Sequence, residues 1–189
     1  WVIAEACRQL RQWHDAGLGI KTAVNVSGVQ IYHADIPSLL ARYTRDAGIS
    51  PTAIEIELTE STLMQDSQIV REVIREFKSL GCTVAIDDFG TGYSSLAYLK
   101  KFPISKLKID RSFVTGLPDD EGDRAIVSAT IGMARALKLD VVAEGVETEA
   151  QRRYLQEQHC ASYQGYLCSP ALPAEAFERL LRERLPALV

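Results

Sequence analysis

The chain has 189 residues, 47% hydrophobic and 24% charged, with a formal net charge of -4. That length supports a substantial core, and the mild acidity argues against a general binder of polymeric nucleic acid or of membrane surfaces, which needs a basic face. No apolar run approaches the ~20 residues of a membrane-spanning helix, no signal peptide is evident, and a local basic pocket for a small phosphate ligand stays open.

The chain opens on WVIAEACRQLRQW, a helix-like segment with no start methionine, read here as the continuation of something longer. KTAVNVS (21–27) and AIEIELTE (53–60) follow as β-branched, strand-like runs. Across 66–80, Ile69, Val70, Val73, Ile74, Phe77 and Leu80 recur at helical spacing, and Gly81 is placed to end that helix. TVAIDD (83–88) and SKLKID (105–110) are the next strands. A helix over 121–138 carries Val127, Ile131 and Ala134 beside Thr130, Met133 and Leu137, and LDVVAEGV (139–146) is the fifth strand. Thr148 with Gln151 forms a capping box before a helix at 149–157. ASYQGYL (161–167) is a weaker sixth strand, and Phe177, Leu180 and Leu181 mark a last helix.

The strands read as nearly continuous apolar runs, the pattern of strands covered on both faces. Alternation of strands and helices predicts a parallel α/β sheet. No glycine fingerprint follows the first strand, and polar residues mark nearly every strand C-terminus, which favours a (β/α)8 barrel over an open doubly wound sheet. Six strands in 189 residues fall short of the eight strands and ~250 residues of such a barrel. The expectation is a single domain over 1–189: a TIM-like barrel incomplete at its N-terminus, with about six of eight strands.

The strand ends deliver Asn25, then Glu57 and Glu60, then Asp87 and Asp88, then Lys108 and Asp110, then Glu144 and Glu147. Converging carboxylates raise one another's pKa values unless cations neutralise them. Oxygen donors without a histidine or cysteine cluster point to Mg²⁺ or Mn²⁺. Two such ions about 3.5–4 Å apart are a general device for phosphodiester hydrolysis. Lys108 is expected to face the barrel mouth, where it steers or deprotonates a nucleophilic water or holds a phosphate oxygen, while Lys100, Lys101 and Lys106 are solvated. Glu57 and Glu60, three apart on a strand, face opposite sides, which makes Glu57 the ligand of the two. Glu55 reads as a solvent-facing neighbour or ion-pair partner, and Asp110 with Arg111 as a rim ion pair. Glu147 stands between a helix-start role and a site role.

His14, His33 and His159 miss every strand end and read as surface or satisfied core residues. Phe89, Tyr93 and Tyr98 read as packing rather than as base-stacking groups. The four cysteines, Cys7, Cys82, Cys160 and Cys168, form no C-x-x-C pair. Buried free thiols in a reducing cytoplasm are expected.

Taken together, VNVS, ELTE, DDFGTGYSSL, KLKID, AEGVE and QGY resemble, in this order and spacing, the EAL-domain family of bacterial phosphodiesterases, which open cyclic di-GMP to linear pGpG. The resemblance covers essentially the whole chain. It implies Asn25, Glu57 and Asp87 as ligands of a first metal and Asp87, Asp88 and Glu144 as ligands of a second, with Asp87 bridging. Lys108 matches the lysine at the nucleophilic water, Glu60 the residue that anchors the DFGTGYSS loop, and Glu147 and Gln164 supporting positions. It further implies a homodimer, and a cytoplasmic domain in a parent that carries an upstream sensory or GGDEF-type domain and is sometimes membrane-anchored. One departure stands out. The Glu-Ala-Leu motif and the arginine after it are absent, which removes a ligand of the first metal and a phosphate contact. The alternative to the enzyme is a receptor that binds cyclic di-GMP, or a protein-interaction module, without hydrolysis.

Overall fold

The structure is a computed structural model that describes residues 1–65, 68–92 and 99–184. Six parallel strands line up in chain order in one sheet: β1 (Thr22–Asn25), β2 (Ile54–Thr59), β3 (Thr83–Phe89), β4 (Lys106–Ile109), β5 (Asp140–Ala143) and β6 (Ser162–Tyr163). Among the described residues, helices lie in the connections from β1 to β2, β2 to β3, β4 to β5 and β5 to β6, the crossovers parallel pairing requires. The result is an incomplete (β/α)8 barrel, as the alternation of elements predicts.

Outside the sheet lie α1 (Val2–Asp15), α2 (Gly28–His33), α3 (Ile36–Ala47), α4 (Glu60–Met64), α5 (Gln68–Leu80), α6 (Arg111–Val114), α7 (Glu121–Ala136), α8 (Glu149–Glu157) and α9 (Ala174–Arg184). Their starts are encoded locally. Ser27 with Gln30 and Thr148 with Gln151 form full capping boxes, and the side chains of Asp35, Asp110 and Asp120 accept from first-turn amides. Gly81 ends α5 at φ 96°, with its amide on Lys78 O and that of Cys82 on Phe77 O. That left-handed step suits glycine and closes the helix before β3.

Helix-facing strand residues Ile54, Ile56, Leu58, Val84, Ile86 and Leu107 pack with Leu10, Leu40, Val70, Ile74 and Phe77 in one large core. A second cluster joins Ile109, Val114, Val127, Ile131, Ala143, Val146 and Leu155. The two-sided apolar strands expected from sequence are therefore corrected. On the inner face, β2 presents Glu55 and Glu57 and β4 presents Lys106 and Lys108, with Ile54, Ile56, Leu58, Leu107 and Ile109 facing the helices.

Other boundaries shift as well. Ile69 is 47% exposed and lies outside the buried stripe of Val70, Ile74 and Phe77 on α5. The sixth strand shrinks from the expected seven residues to Ser162–Tyr163, and Gly165 then turns at φ 152°, where a Cβ would collide with the Val146 backbone. No described helix is long and apolar enough to cross a membrane.

Candidate active site

Parallel strands bring their C-terminal ends to one rim. β1 ends on Asn25, in register with Glu57 of β2. β3 carries Asp87 and Asp88 just before its last residue, Phe89, and a regular strand would send the two to opposite faces. The ladder instead shifts register between Ile86 and Phe89. Asp88 takes a left-handed backbone at φ 54°, a conformation that Asp and Asn tolerate better than most side chains. This bulge turns both carboxylates toward the rim. One oxygen from each of Asp87, Asp88 and Glu144 lies within 4.8 Å of the other two.

Lys108 is the hub. It is only 4% exposed, and its Nζ lies 2.8 Å from Glu57 Oε1, 2.8 Å from Asp87 Oδ1 and 2.7 Å from Glu144 Oε1. Burial alone would pull the ammonium's pKa down, but hydrogen bonds to Asp87, Glu144 and Glu57 outweigh it and hold the group well above the ordinary lysine range. Burial also pushes the Glu144 carboxyl up. Lys108 opposes that shift, Asp87 and Glu57 reinforce it, and the net direction is upward. Asp88 is raised by burial and then by the negative charge of Asp87 and Asp110. Gln164 Nε2 donates to Glu144 Oε1 at 2.5 Å and fixes that carboxylate from the β6 side.

One ammonium among Glu57, Asp87, Asp88 and Glu144 leaves the rim strongly negative. All of its donors are hard oxygens, so the residues present fit a divalent cation of the Mg²⁺ or Mn²⁺ kind. Asp87, Asp88 and Glu144 form the candidate cluster, and Glu57 and Asn25 extend it toward β1.

Glu60 does not sit on the strand, so the argument from i and i+3 on one strand lapses. The chain turns at Thr59 and Glu60 opens α4. Its side chain, in a residue only 3% exposed, accepts from Gly90 N at 2.9 Å and Gly92 N at 3.3 Å. A Cβ at position 92 would stand 2.7 Å from Glu60 Oε1, so the glycine permits this approach. The continuation of that loop, with Tyr93 and Tyr98, lies outside the described residues.

Other expected positions resolve differently. Glu147 is exposed and, with Arg111, Ser112, Thr115, Gly145, Gly165 and Tyr166, lines a cavity of about 520 Å³ beside the rim. Its backbone amide, rather than its carboxylate, engages Gln151. Asp110 caps α6 by accepting from Ser112 N, in place of the expected ion pair with Arg111. Phe89 is buried at 7% exposure, as packing requires. His14 bonds Ile20 O, and His159 lies away from the carboxylates, at the opposite strand ends beside Asp140 and Ser162.

The reading of Glu55 as an ion-pair partner holds, but its partner was missed. Lys106, expected in solvent, has a side chain 22% exposed and forms a bidentate ion pair with Glu55 at 2.6 and 2.9 Å. The usable signal was spacing. Glu55 and Glu57, like Lys106 and Lys108, are two apart and so share a strand face.

Comparison with known proteins then gives the lineage. The EAL domain family model matches residues 1–171. The bifunctional diguanylate cyclase/cyclic di-GMP phosphodiesterase MucR of Pseudomonas aeruginosa is 45% identical over 176 residues, 93% of this chain and 26% of MucR. A solved MucR phosphodiesterase, in complex with c-di-GMP, superposes with a TM-score of 0.89 at 44% identity, covering 94% of this chain and 72% of that one. The crystal structure of the EAL domain of Mycobacterium smegmatis DcpA gives 0.91 at 39% identity, covering 97% and 83%. A manganese/cy-diGMP complex of Klebsiella pneumoniae BlrP1 gives 0.78 at 30% identity, covering 87% and 43%. The chain spans about a quarter of the length of the curated relatives it matches, 26%, 23% and 23% for the first three.

Proposed function

Because this chain belongs to the EAL domain family, we propose that it is a metal-dependent phosphodiesterase domain that hydrolyses cyclic di-GMP to linear pGpG. The observation that carries this reading is the junction of Lys108 with Glu57, Asp87 and Glu144 at the strand ends. MucR, matched over 93% of this chain, is named for the same activity.

Two divalent ions, Mg²⁺ or Mn²⁺, are assigned to these ligands: Asn25, Glu57 and Asp87 for one, Asp87, Asp88 and Glu144 for the other. When bound, they supply positive charge to the phosphodiester and lower the pKa of a water. The chain's own residues do the rest. Asp87, 2.8 Å from Lys108 and clustered with Asp88 and Glu144, is the shared ligand. Lys108, at the centre of these carboxylates, steers the attacking water or holds a phosphate oxygen. Gln164 fixes Glu144, Glu60 anchors the Gly90–Gly92 turn, and Glu147 lines the substrate side. A homodimer and an upstream sensory or GGDEF-type domain in the parent protein complete the proposal. The quarter-length match to MucR supports further domains.

The test is chromatography of cyclic di-GMP incubated with the chain and Mg²⁺ or Mn²⁺, alone and within its parent protein. Linear pGpG is expected. Asp87→Asn is expected to lower turnover by about a hundredfold or more, with much less effect on ligand binding. Near-normal turnover in that variant would refute the shared-ligand assignment. Bound ligand without product from either protein would establish a receptor instead.

A further inference from the structure

Beneath the rim lies the second ion pair of the inner face, Glu55 with Lys106, which nothing above assigns to the reaction. Its geometry is unusual in one respect. Across the sheet, Glu57 is in register with Ala85, and Ala85 with Lys106. Lys106 therefore stands on the rung of Glu57, two strand spacings away or about 10 Å between α-carbons. A lysine and a glutamate together span that gap, and Ala85 places only a methyl group between them. Lys106 nevertheless bonds Glu55, which belongs to the rung of Thr83. Its other inner-face neighbour is Asp140, in register with it on β5 and exposed. Glu57, at 6% exposure, is left to Lys108 at 2.8 Å.

Resting on the reading of Glu57 as a metal ligand, we propose that Glu55 is a positioning residue of the metal site. By holding Lys106 one rung low, it keeps a second ammonium off Glu57 and leaves that carboxylate to the divalent ion. A buried carboxylate attracts whichever cation reaches it. With Glu55 neutralised, Lys106 swings to Glu57 and competes with the metal. The contribution of Glu55 is thus exerted through Lys106, and removal of Lys106 erases it. A purely architectural pair behaves otherwise, because loss of both partners then restores no binding.

Mn²⁺ binding, read from the electron paramagnetic resonance signal of the free ion with circular dichroism to verify folding, tests this without turnover. Glu55→Gln is expected to weaken Mn²⁺ binding about tenfold, a coupling of the size found between contacting charged groups. Glu55→Gln combined with Lys106→Met is expected to return within about threefold of the unaltered chain. Glu55→Asp, which keeps the charge, is expected to stay within the same margin and carries the test if Glu55→Gln does not fold. Unchanged affinity in Glu55→Gln, a double variant as weak as the single, or a tenfold loss in Glu55→Asp would each overturn the proposal. Glu57→Gln separates the two readings. If it weakens Mn²⁺ binding while Glu55→Gln does not, only the role of Glu55 falls. If it binds like the unaltered chain, the metal assignment of Glu57 falls, and the role of Glu55 with it.

Discussion

At the scale of single residues, burial sets the chemistry. Lys108 is tolerable in the interior only because three carboxylates surround it, since an unpaired buried ammonium would lose its proton or unfold its surroundings. The cysteines obey the same rule in its simplest form. Cys7, Cys82 and Cys160 are 1%, 1% and 3% exposed, and Cys168 is exposed. Burial pushes the Cys82 thiol up to about 11, aided by Cys7 and opposed by Lys78. Burial also raises Cys7 and Cys160. Cys168 has the guanidinium of Arg184 at 3.2 Å from its sulfur. A thiol reagent at neutral pH is therefore expected to label one cysteine quickly in the native chain and all four after unfolding. Two or more fast thiols per native chain would contradict this packing.

At the scale of elements, the decisive event is the end of β3. The bulge between Ile86 and Phe89 gathers Asp87 and Asp88 on one rim, and the turn that follows is tied down by Glu60 from α4. Replacement of Glu60 by alanine frees the amides of Gly90 and Gly92 in a partly buried turn. The expected cost is about 1–3 kcal/mol of stability, together with weaker Mn²⁺ binding as the two aspartates loosen. Thermal unfolding and a metal titration measure both, and a variant unchanged in each would remove Glu60 from the anchoring role. The turn is readable in IDDFG and its anchor only through the family resemblance, because Glu60 lies thirty positions from Gly90 in sequence and its reach depends on the α4 turn after β2.

At the scale of the whole molecule, the sheet runs from β1 to β6 in chain order, and among the described residues neither outer edge pairs with a further strand. β2, β3 and β4 lie inside, with Ile54, Ile56, Leu58, Val84, Ile86 and Leu107 all at 0% exposure on the helix side. Cooperative opening spares such strands until global unfolding, whereas edges fray. Hydrogen–deuterium exchange is expected to be slowest in β2 and β3 and fastest around β6. Equal protection of β6 and β3 would show that the β6 edge is covered in solution, by a second copy of the chain or by another segment.

The sequence by itself determined the order of the strands, the capped helix start at Thr148 and the residues gathered at the strand ends, but not the helices at Gly28–His33, Ile36–Ala47, Glu60–Met64 and Arg111–Val114. Those features rest on local spacing, capping side chains and the direction of parallel strands, all of which act over a few residues. It also carried the family resemblance in VNVS, ELTE, DDFGTGYSSL, KLKID, AEGVE and QGY, with the EAL domain match over 1–171 as its counterpart. Only the tertiary structure decided that Lys106 is paired with Glu55 rather than solvated, and that a register shift against β4 is what lets the adjacent Asp87 and Asp88 share one rim. Each depends on register between strands far apart in the chain, and the bulge in β3 is a property of two strands together. Periodicity within one strand shows which residues share a face, but the partners across that face are chosen only when the sheet closes around them.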